Sequence, residues 1–213
     1  MMQPKINLAL NKLPAYYINL DKDTEKQENI ERFLKDLGFS SVTRFPGFLE
    51  PIKKVGVAKS HQALLKELAN LPTPFIVFED DIQVGNFVNE IEVPSDADAL
   101  YLGNSIFGLY GGVGKRRISV DRVDKNIFRL YNMLAAHAIV YFNTDYIKFL
   151  IQAIDFNLSI KTNQDKARAE TMKYWKVYGT ASPMFYQPGR HEAFTKISLP
   201  NKFCVGPRGA LEL

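Results

Sequence analysis

The sequence predicts an α/β domain in which helices flank a mostly parallel central sheet. Short runs of β-branched and aromatic residues alternate with segments of helical periodicity, and this alternation is typical of parallel sheets. One run, residues 75–78 (FIVF), is apolar throughout, as expected of a strand that is covered on both faces. With 213 residues, of which 46% are hydrophobic, the chain is long enough to bury a substantial core.

The first half of the chain is predicted to alternate between strands and helices. Residues 15–20 (AYYINL) are rich in β-formers and form the first clear strand. A helix follows, because apolar residues recur at helical spacing from Ile30 to Leu37 and Gly38 is a common helix stop. The remaining elements of this half are a strand at 42–45, a helix at 57–69 and the strand at 75–78.

The second half is predicted to continue this pattern. Residues 108–129 include β-formers at period two, which predicts a hairpin. No repeat or linker is evident, so we expect residues 1–213 to form a single domain. The loop-like residues 206–213 are also compatible with a piece of a longer protein, whose further domains would then be partners. The other predicted elements are strands at 99–102, 138–142 and 184–186, and helices at 145–154 and 163–176.

Composition excludes several functional classes. The single cysteine, Cys204, excludes a disulfide scaffold and the Cys-rich zinc modules. The chain has 27 Lys and Arg against 23 Asp and Glu, a net charge of +4. This mild excess favours anionic small molecules, and we expect no nucleic-acid partner. Charges and prolines interrupt every apolar stretch in residues 1–21, so we expect no signal peptide, no membrane span and a cytoplasmic location.

Three consecutive carboxylates follow the apolar strand. Carboxylates clustered at the end of a buried strand repel one another unless a cation is present, and ligands of open α/β sheets bind at the carboxyl ends of strands. Because alternate residues of an extended chain point the same way, Glu79 and Asp81 are expected to share one face while Asp80 points elsewhere. Two carboxylate ligands that leave other coordination positions of the metal free suit Mn²⁺ or Mg²⁺. The alternative is a solvated acidic turn.

Two segments invite a phosphate-binding interpretation. Residues 111–116 (GGVGKR) are not a phosphate loop, because the first glycine is missing and Arg116 stands in place of the required Ser or Thr. Lys59 and Ser60, near the predicted start of the second helix, are candidates to bind an anion with the helix amide groups. In the alternative, Ser60 is a helix cap and the adjacent His61 packs against the sheet.

Three other side chains are candidates for a role in chemistry. His137 lies in an apolar stretch and is expected to be a core histidine. His191 lies in a polar loop and is either a third metal ligand or an exposed side chain. Asp165 is either a general base or a cap on the helix that follows, and its sequence context favours the cap.

Several separated segments resemble glycosyltransferase family 25, the lipooligosaccharide galactosyltransferases and their collagen galactosyltransferase relatives. The order and spacing of the segments agree with that family across roughly the full chain. The chain is also similar to the first domain of multi-domain glycosyltransferases from chlorella viruses. It departs from the family pattern at Lys26 and Gln27, where an Arg is usual, and in beginning its acidic motif with Glu. The matching segments are 17–21 (YINLD), 56–61 (GVAKSH), 76–81 (IVFEDD), 136–140 (AHAIV) and 187–189 (QPG).

The resemblance implies a GT-A fold, a nucleoside-diphosphate sugar donor (here a UDP-sugar) and a Mn²⁺ or Mg²⁺ ion that bridges the diphosphate. It also implies inversion at the anomeric carbon and transfer to a hydroxyl group of a glycan or glycoprotein acceptor. Glu79 and Asp81 would then be metal ligands, with His191 as a third, and Asp165 is the candidate base. The residues expected to bind the donor are Ile18, Asn19, Leu20, Asp21, Lys59, Ser60, His61, Asp80 and Asn104.

Two other functions stay open from the sequence. A metal-dependent phosphohydrolase or nucleotidyltransferase can use the same carboxylates, but it releases phosphate or transfers a nucleotide. A nucleotide-sugar or glycan binding module would bind the donor without turnover, although clustered carboxylates bring little advantage to a pure binder. The aromatic residues Tyr174, Trp175 and Tyr178 either stack on an acceptor sugar or belong to the core.

Overall fold

The computed structural model describes residues 3–105, 107–109 and 118–187. Strands and helices alternate over residues 15–79, as the sequence predicts, whereas the described part of residues 75–141 contains strands and no helix. The elements are β1 Lys5–Ala9, β2 Ala15–Asn19, α1 Thr24–Asp36, β3 Val42–Pro46, α2 Lys53–Leu68, β4 Phe75–Glu79, β5 Gln83–Val84, β6 Glu90–Pro94, β7 Ala99–Tyr101, β8 Val120–Arg122, β9 Ile127–Leu130, β10 Ala138–Tyr141, α3 Thr144–Ser159, α4 Gln164–Thr171, β11 Val177–Thr180 and β12 Phe185–Tyr186.

An eight-stranded sheet organises the described residues, in the order β3-β2-β4-β10-β7-β11-β9-β8. Strands β3, β2 and β4 are parallel neighbours, as are β7 and β11. Strands β10 and β9 run antiparallel to their neighbours. The sheet is therefore mixed, which corrects the prediction of a mostly parallel one. A strand buried on both faces, such as β10, has the same apolar sequence whichever way it runs, so its direction could not be predicted.

Helices cover both faces of this sheet, and β4 shows how. Phe75 and Val77 face a core cluster that includes residues of α2, α3 and α4. Ile76 and Phe78 face a second cluster that includes residues of α1 and of the two-stranded sheet that β1 and β6 form together. Alternate strand residues point to opposite faces, so burial on both sides accounts for the continuous apolar run. The predicted α/β architecture with flanking helices is confirmed.

The helix boundaries differ from prediction where capping differs. Helix α2 begins at Lys53 rather than near Val57, and its N-cap, Ile52, makes no side-chain capping hydrogen bond. Helix α4 is capped by Asn163, whose side chain accepts from the amide of Lys166. In α1 the predicted stop is confirmed, since Gly38 follows the helix with φ of 82°, a conformation that favours glycine.

Some strands had no sequence signal strong enough to predict them. Strand β11 occupies an interior position of the main sheet, yet it is only four residues long (VYGT) and contains a glycine. The predicted last strand is confirmed as β12, which pairs with β5 in a separate two-stranded sheet. Within the part of the chain that the structure describes, no helix combines the length and apolar composition needed to cross a membrane.

One close approach of the backbone gives a stability prediction. A methyl group added at Gly103 falls 1.9 Å from Nε2 of His137, a buried ring. We expect Gly103→Ala to lower the free energy of unfolding by about 3 kcal/mol, because neither group has room to move. Gly179→Ala is the control for a milder clash, since its added methyl group meets Cδ1 of Leu130 at 3.0 Å and Oδ1 of Asn104 at 3.2 Å. Urea unfolding of both variants checks this, and equal losses would contradict it.

Candidate active site

A cleft of about 890 Å³ opens at the carboxyl ends of β2, β3 and β4. The first half of α2 and the first turn of α4 form its other walls. Ligands of open α/β sheets bind at this edge. Of the residues predicted from the sequence to form a site, the cleft is lined by Ile18, Asn19, Leu20, Ser60, His61, Glu79, Asp80, Asp81 and Asp165.

The three consecutive carboxylates Glu79, Asp80 and Asp81, here called the acidic triplet, point in two directions, as their spacing predicts. Glu79 ends β4, and its Oε2 accepts a 2.7 Å hydrogen bond from Nε2 of Gln187. The same amide nitrogen donates to Oδ1 of Asp81 at 2.7 Å. Glu79 and Asp81 therefore converge on one point in the cleft. Asp80 is directed elsewhere, with Oδ2 accepting from Nδ2 of Asn19 at 2.8 Å and Oδ1 lying 3.4 Å from Nζ of Lys26.

The end of β2 is held by an arginine from the neighbouring strand. Asn19 is buried, and its Oδ1 accepts from Nε of Arg44 at 3.0 Å while its Nδ2 donates to Asp80. Arg44 also pairs with Asp21 at 2.6 Å. The Asp21 side chain is 81% exposed and does not line the cleft, unlike the three residues before it. Asn19 is thus oriented from two sides, with Asp80 as its partner in the cleft.

His61 connects Glu79 to the protein interior. Its Nε2 lies 2.9 Å from Oε1 of Glu79, and its Nδ1 lies 3.2 Å from a guanidinium nitrogen of Arg168. A guanidinium can only donate, so Nδ1 is the acceptor and Nε2–H donates to Glu79. Burial, together with the charge of Arg168, lowers the pKa of His61 to about 3. The ring is therefore neutral at physiological pH, and its contact with Glu79 is a hydrogen bond rather than an ion pair.

Two carboxyl groups of the cleft have raised pKa values. Burial and the adjacent charge of Asp81 raise the pKa of Glu79 to about 7. Burial and the charge of Glu79 raise the pKa of Asp165 to about 6. Shifts of this kind, in a cleft and with identifiable causes, are a mark of functional sites.

Asp165 does not cap α4, which corrects the interpretation that the sequence favoured. Asn163 is the cap, and Asp165 lies in the first turn of the helix and lines the cleft. Its Oδ1 accepts a 2.8 Å hydrogen bond from Nε2 of Gln164. The carboxylate is thus oriented by a neighbouring amide, close enough to Glu79 for the two charges to interact.

The predicted anion site at Lys59 and Ser60 is wrong. Because α2 begins at Lys53, both residues lie inside the helix, where the amide groups are used by helical hydrogen bonds. Ser60 Oγ donates to the carbonyl of Gly56 and accepts from the amide of Phe48, each at 2.7 Å. Lys59 pairs with Glu50. The alternative in which Ser60 caps the helix is also wrong, for the same reason.

Several other candidates lie away from the cleft. Asn104 donates at 2.5 Å to the carbonyl of Thr180 and is not among the cleft-lining residues that the structure describes. His137 is buried, as expected of a core histidine. His191 and the segment 111–116 lie outside the described residues.

The aromatic residues considered for acceptor stacking are not in the cleft either. Tyr178 is buried in β11 and belongs to the second core cluster, whereas Trp175 packs against Tyr146 of the first, so both contribute to the core. Tyr174 is 68% exposed. None of the three is among the described residues that line the cleft.

Four residues that build the site were not predicted from the sequence. Gln187 was noticed only as part of a matching segment, and Lys26 only as a departure from the family pattern. Gln164 and Arg168 adjoin Asp165 in a charged helix, where polar residues are unremarkable. No sequence signal could show that Arg168 is fully buried or that Gln187 contacts the acidic triplet.

No protein-family model matches this sequence, and no curated protein matches it significantly. Among solved structures, the chain is similar to the nucleoside-diphosphate-sugar pyrophosphorylase from Vibrio cholerae RC9, with 14% sequence identity and a TM-score of 0.45. The match covers 80% of this chain and 73% of that chain. A likeness at this level establishes neither a shared fold family nor a shared activity. The chemistry of the cleft therefore has to be derived from its own side chains.

Proposed function

We propose that the protein is a divalent-cation-dependent glycosyltransferase with a GT-A-like fold. It moves a sugar from a nucleoside-diphosphate sugar, expected to be a UDP-sugar, to a hydroxyl group of a glycan or glycoprotein, with inversion at the anomeric carbon. The observation that carries this proposal is the convergence of Glu79 and Asp81 at the carboxyl end of β4, with Asp165 in the same cleft.

The paired carboxylates fit a hard divalent cation. Gln187 Nε2 contacts one oxygen of Glu79 and one of Asp81 at equal distances of 2.7 Å, so both oxygens are directed at the same point. Within the described residues, no group of three or more His, Cys, Asp and Glu side chains could hold a metal. A two-carboxylate site suits Mn²⁺ or Mg²⁺, which commonly keep water and substrate phosphate as further ligands. When bound, such a cation stabilises the negative charge that develops on the leaving diphosphate.

The basic residues of the cleft suit an anionic donor. Lys22, Lys53 and Lys54 line it, and among the described residues they form no ion pair. Lys53 and Lys54 begin α2, where the positive end of the helix dipole adds to their charge. A diphosphate between these lysines and a cation held by Glu79 and Asp81 would have favourable partners on both sides.

Asp165 is suited to deprotonate the acceptor. A general base works best when its pKa is close to the operating pH, and the raised pKa of Asp165, about 6, brings this carboxylate nearer to neutrality. Direct displacement with inversion requires the acceptor hydroxyl on the face of the sugar opposite the diphosphate. Asp165 comes from α4, whereas the proposed metal carboxylates come from the end of β4 and the residues just after it, so the two groups enter the cleft from different elements.

The test is calorimetric titration of UDP and other nucleoside diphosphates, with and without Mn²⁺. We expect Mn²⁺-dependent binding that Asp81→Ala weakens by about 30-fold or more, because one charged ligand is lost. Asp36→Ala, which removes an exposed carboxylate at the end of α1, is the matched control and should bind normally.

Product analysis identifies the group transferred. Release of intact nucleoside diphosphate from a panel of sugar donors supports sugar transfer. Formation of pyrophosphate from a nucleoside triphosphate and a sugar phosphate would instead identify a nucleotidyltransferase. The catalytic proposal would be overturned if the affinity for nucleoside diphosphate changed neither with Mn²⁺ nor in Asp81→Ala.

A further inference from the structure

A fully buried arginine lies behind the cleft. Arg168, on α4, is 0% exposed, and its three side-chain partners are the hydroxyl of Tyr141, Oε1 of Gln164 and Nδ1 of His61. Burying a guanidinium is costly unless its donors are satisfied. Here two of the three partners are themselves in contact with cleft carboxylates.

The first of these contacts leads to Glu79. Because Arg168 donates to Nδ1 of His61, the ring proton is placed on Nε2, which faces Oε1 of Glu79 at 2.9 Å. If Nδ1 carried the proton, two donors would face each other at Arg168 and two acceptors would face each other at Glu79. Arg168 therefore selects the tautomer that holds Glu79 in place.

The second contact leads to Asp165. Because Arg168 Nε donates to Oε1 of Gln164, the amide group is oriented with its nitrogen on the other side. That nitrogen donates to Oδ1 of Asp165 at 2.8 Å. A reversed amide would place its nitrogen against the guanidinium and its oxygen against the carboxylate, which removes both hydrogen bonds. The orientation of Gln164 thus follows from the position of Arg168.

We propose that Arg168 is a positioning residue that orients the metal-binding carboxylate Glu79 through His61 and the candidate base Asp165 through Gln164. The catalytic part of this inference rests on the proposed function, whereas the positioning itself is a property of the free protein. One buried group would then fix the relative placement of the two carboxylates on which the reaction depends, as precise catalysis requires.

A second buried arginine shows what a purely structural role looks like. Arg129 donates to four backbone carbonyls, those of Leu130, Met172, Trp175 and Val177, so it ties β9 to the segment before and within β11. None of these four residues lines the cleft. Arg129→Lys is therefore the matched control for Arg168→Lys, since both replace a buried guanidinium by an ammonium group.

The first experiment reads the tautomer directly, without any substrate. Long-range proton–nitrogen NMR correlations distinguish the two neutral tautomers, and His61 is assigned by comparison with His61→Gln, since the chain has 3 histidines. We expect Nε2–H in the wild type and in Arg129→Lys, and a mixture or the Nδ1–H form in Arg168→Met. An unchanged Nε2–H tautomer in Arg168→Met would overturn the inference.

The second experiment measures kinetics with the sugar donor that the product analysis selects. We expect Arg168→Lys to lower kcat by about 10- to 100-fold, because Glu79 and Asp165 lose their alignment. The donor KM should change by less than about 3-fold, because the groups that bind the donor are unchanged. Arg129→Lys should change neither parameter by more than about 3-fold. Equal losses of kcat in the two variants would show a structural role only, and would overturn the inference.

Gln164→Ala keeps the inference testable if the Arg168 variants do not fold. It removes the contact to Asp165 and leaves the His61 contact, so kcat should fall while His61 keeps Nε2–H. A kcat equal to that of the wild type would contradict the proposed positioning of Asp165 through Gln164. If no nucleoside diphosphate binds to the wild type, the proposed function fails, while the NMR result still decides the positioning role of Arg168.

Discussion

Asp165→Asn is expected to lower kcat by about 10²- to 10⁴-fold, the range that a lost general base usually costs. Asparagine has the same shape, and its side-chain oxygen can still accept from Nε2 of Gln164, so the local structure should be kept. It cannot take the proton of an acceptor hydroxyl. Binding of nucleoside diphosphate and Mn²⁺ should be nearly unchanged, since Asp165 is not one of the proposed metal ligands.

The pH dependence of the wild type gives an independent measure of the same group. A base acts only when deprotonated, and burial raises the pKa of Asp165 to about 6. The kcat/KM, which reports pKa values of the free enzyme, should therefore rise with pH through about 6 and then level off, and Asp165→Asn should not show this rise. Glu170→Gln, which changes an exposed carboxylate on the same helix, is the control and should keep both rate and profile. A wild-type rate in Asp165→Asn would exclude Asp165 as the base.

Glu79→Gln should make the metal-free protein lose less stability than the wild type between pH 4.5 and pH 8, by about 1–3 kcal/mol. Burial and Asp81 raise the pKa of Glu79 from 4.5 to about 7 in the folded protein. The folded state thus binds this proton more tightly than the unfolded state. The wild type therefore loses stability as the pH rises from about 4.5 to about 7, and an uncharged glutamine does not.

Denaturant unfolding at pH 8 and pH 4.5, with chelator present, checks the sign. The free energy of unfolding of Glu79→Gln relative to that of the wild type should be higher at pH 8 than at pH 4.5. Excess Mn²⁺ should stabilise the wild type and have little effect on the variant, because binding to the folded state alone raises stability. Glu67→Gln, an exposed carboxylate on α2, should show neither effect. A variant that loses as much stability as the wild type between these two pH values would contradict the assigned cause of the raised pKa.

The parts of the fold that were predictable are those that depend on local pattern. The apolar run of β4 and the periodicity and glycine stop of α1 are readable because each residue's environment repeats along the element. The direction of β10 and the existence of β11 depend on which strands become neighbours. Those pairings are long-range contacts, and a single sequence carries no periodic signal for them.

In the candidate site, too, the predictable features are those that depend on local pattern, and the others depend on long-range contacts. The opposite orientations of Asp80 and its two neighbours follow from strand geometry, so they were predictable from spacing alone. The start of α2 was misplaced because Ile52 is not a residue that normally caps a helix, and this error produced the mistaken anion site at Ser60. Arg168 could not be identified, since buried and exposed arginines look alike in sequence.

The two hydrogen bonds of Gln187 also bear on how a cation would bind in the cleft. Two carboxylates at close range, Glu79 and Asp81, share one amide nitrogen as a neutral bridge in the free protein. A cation that bound both oxygens would replace the amide nitrogen of Gln187 as their partner. Its measured affinity would then be the difference in free energy between two states in which both oxygens already have a partner.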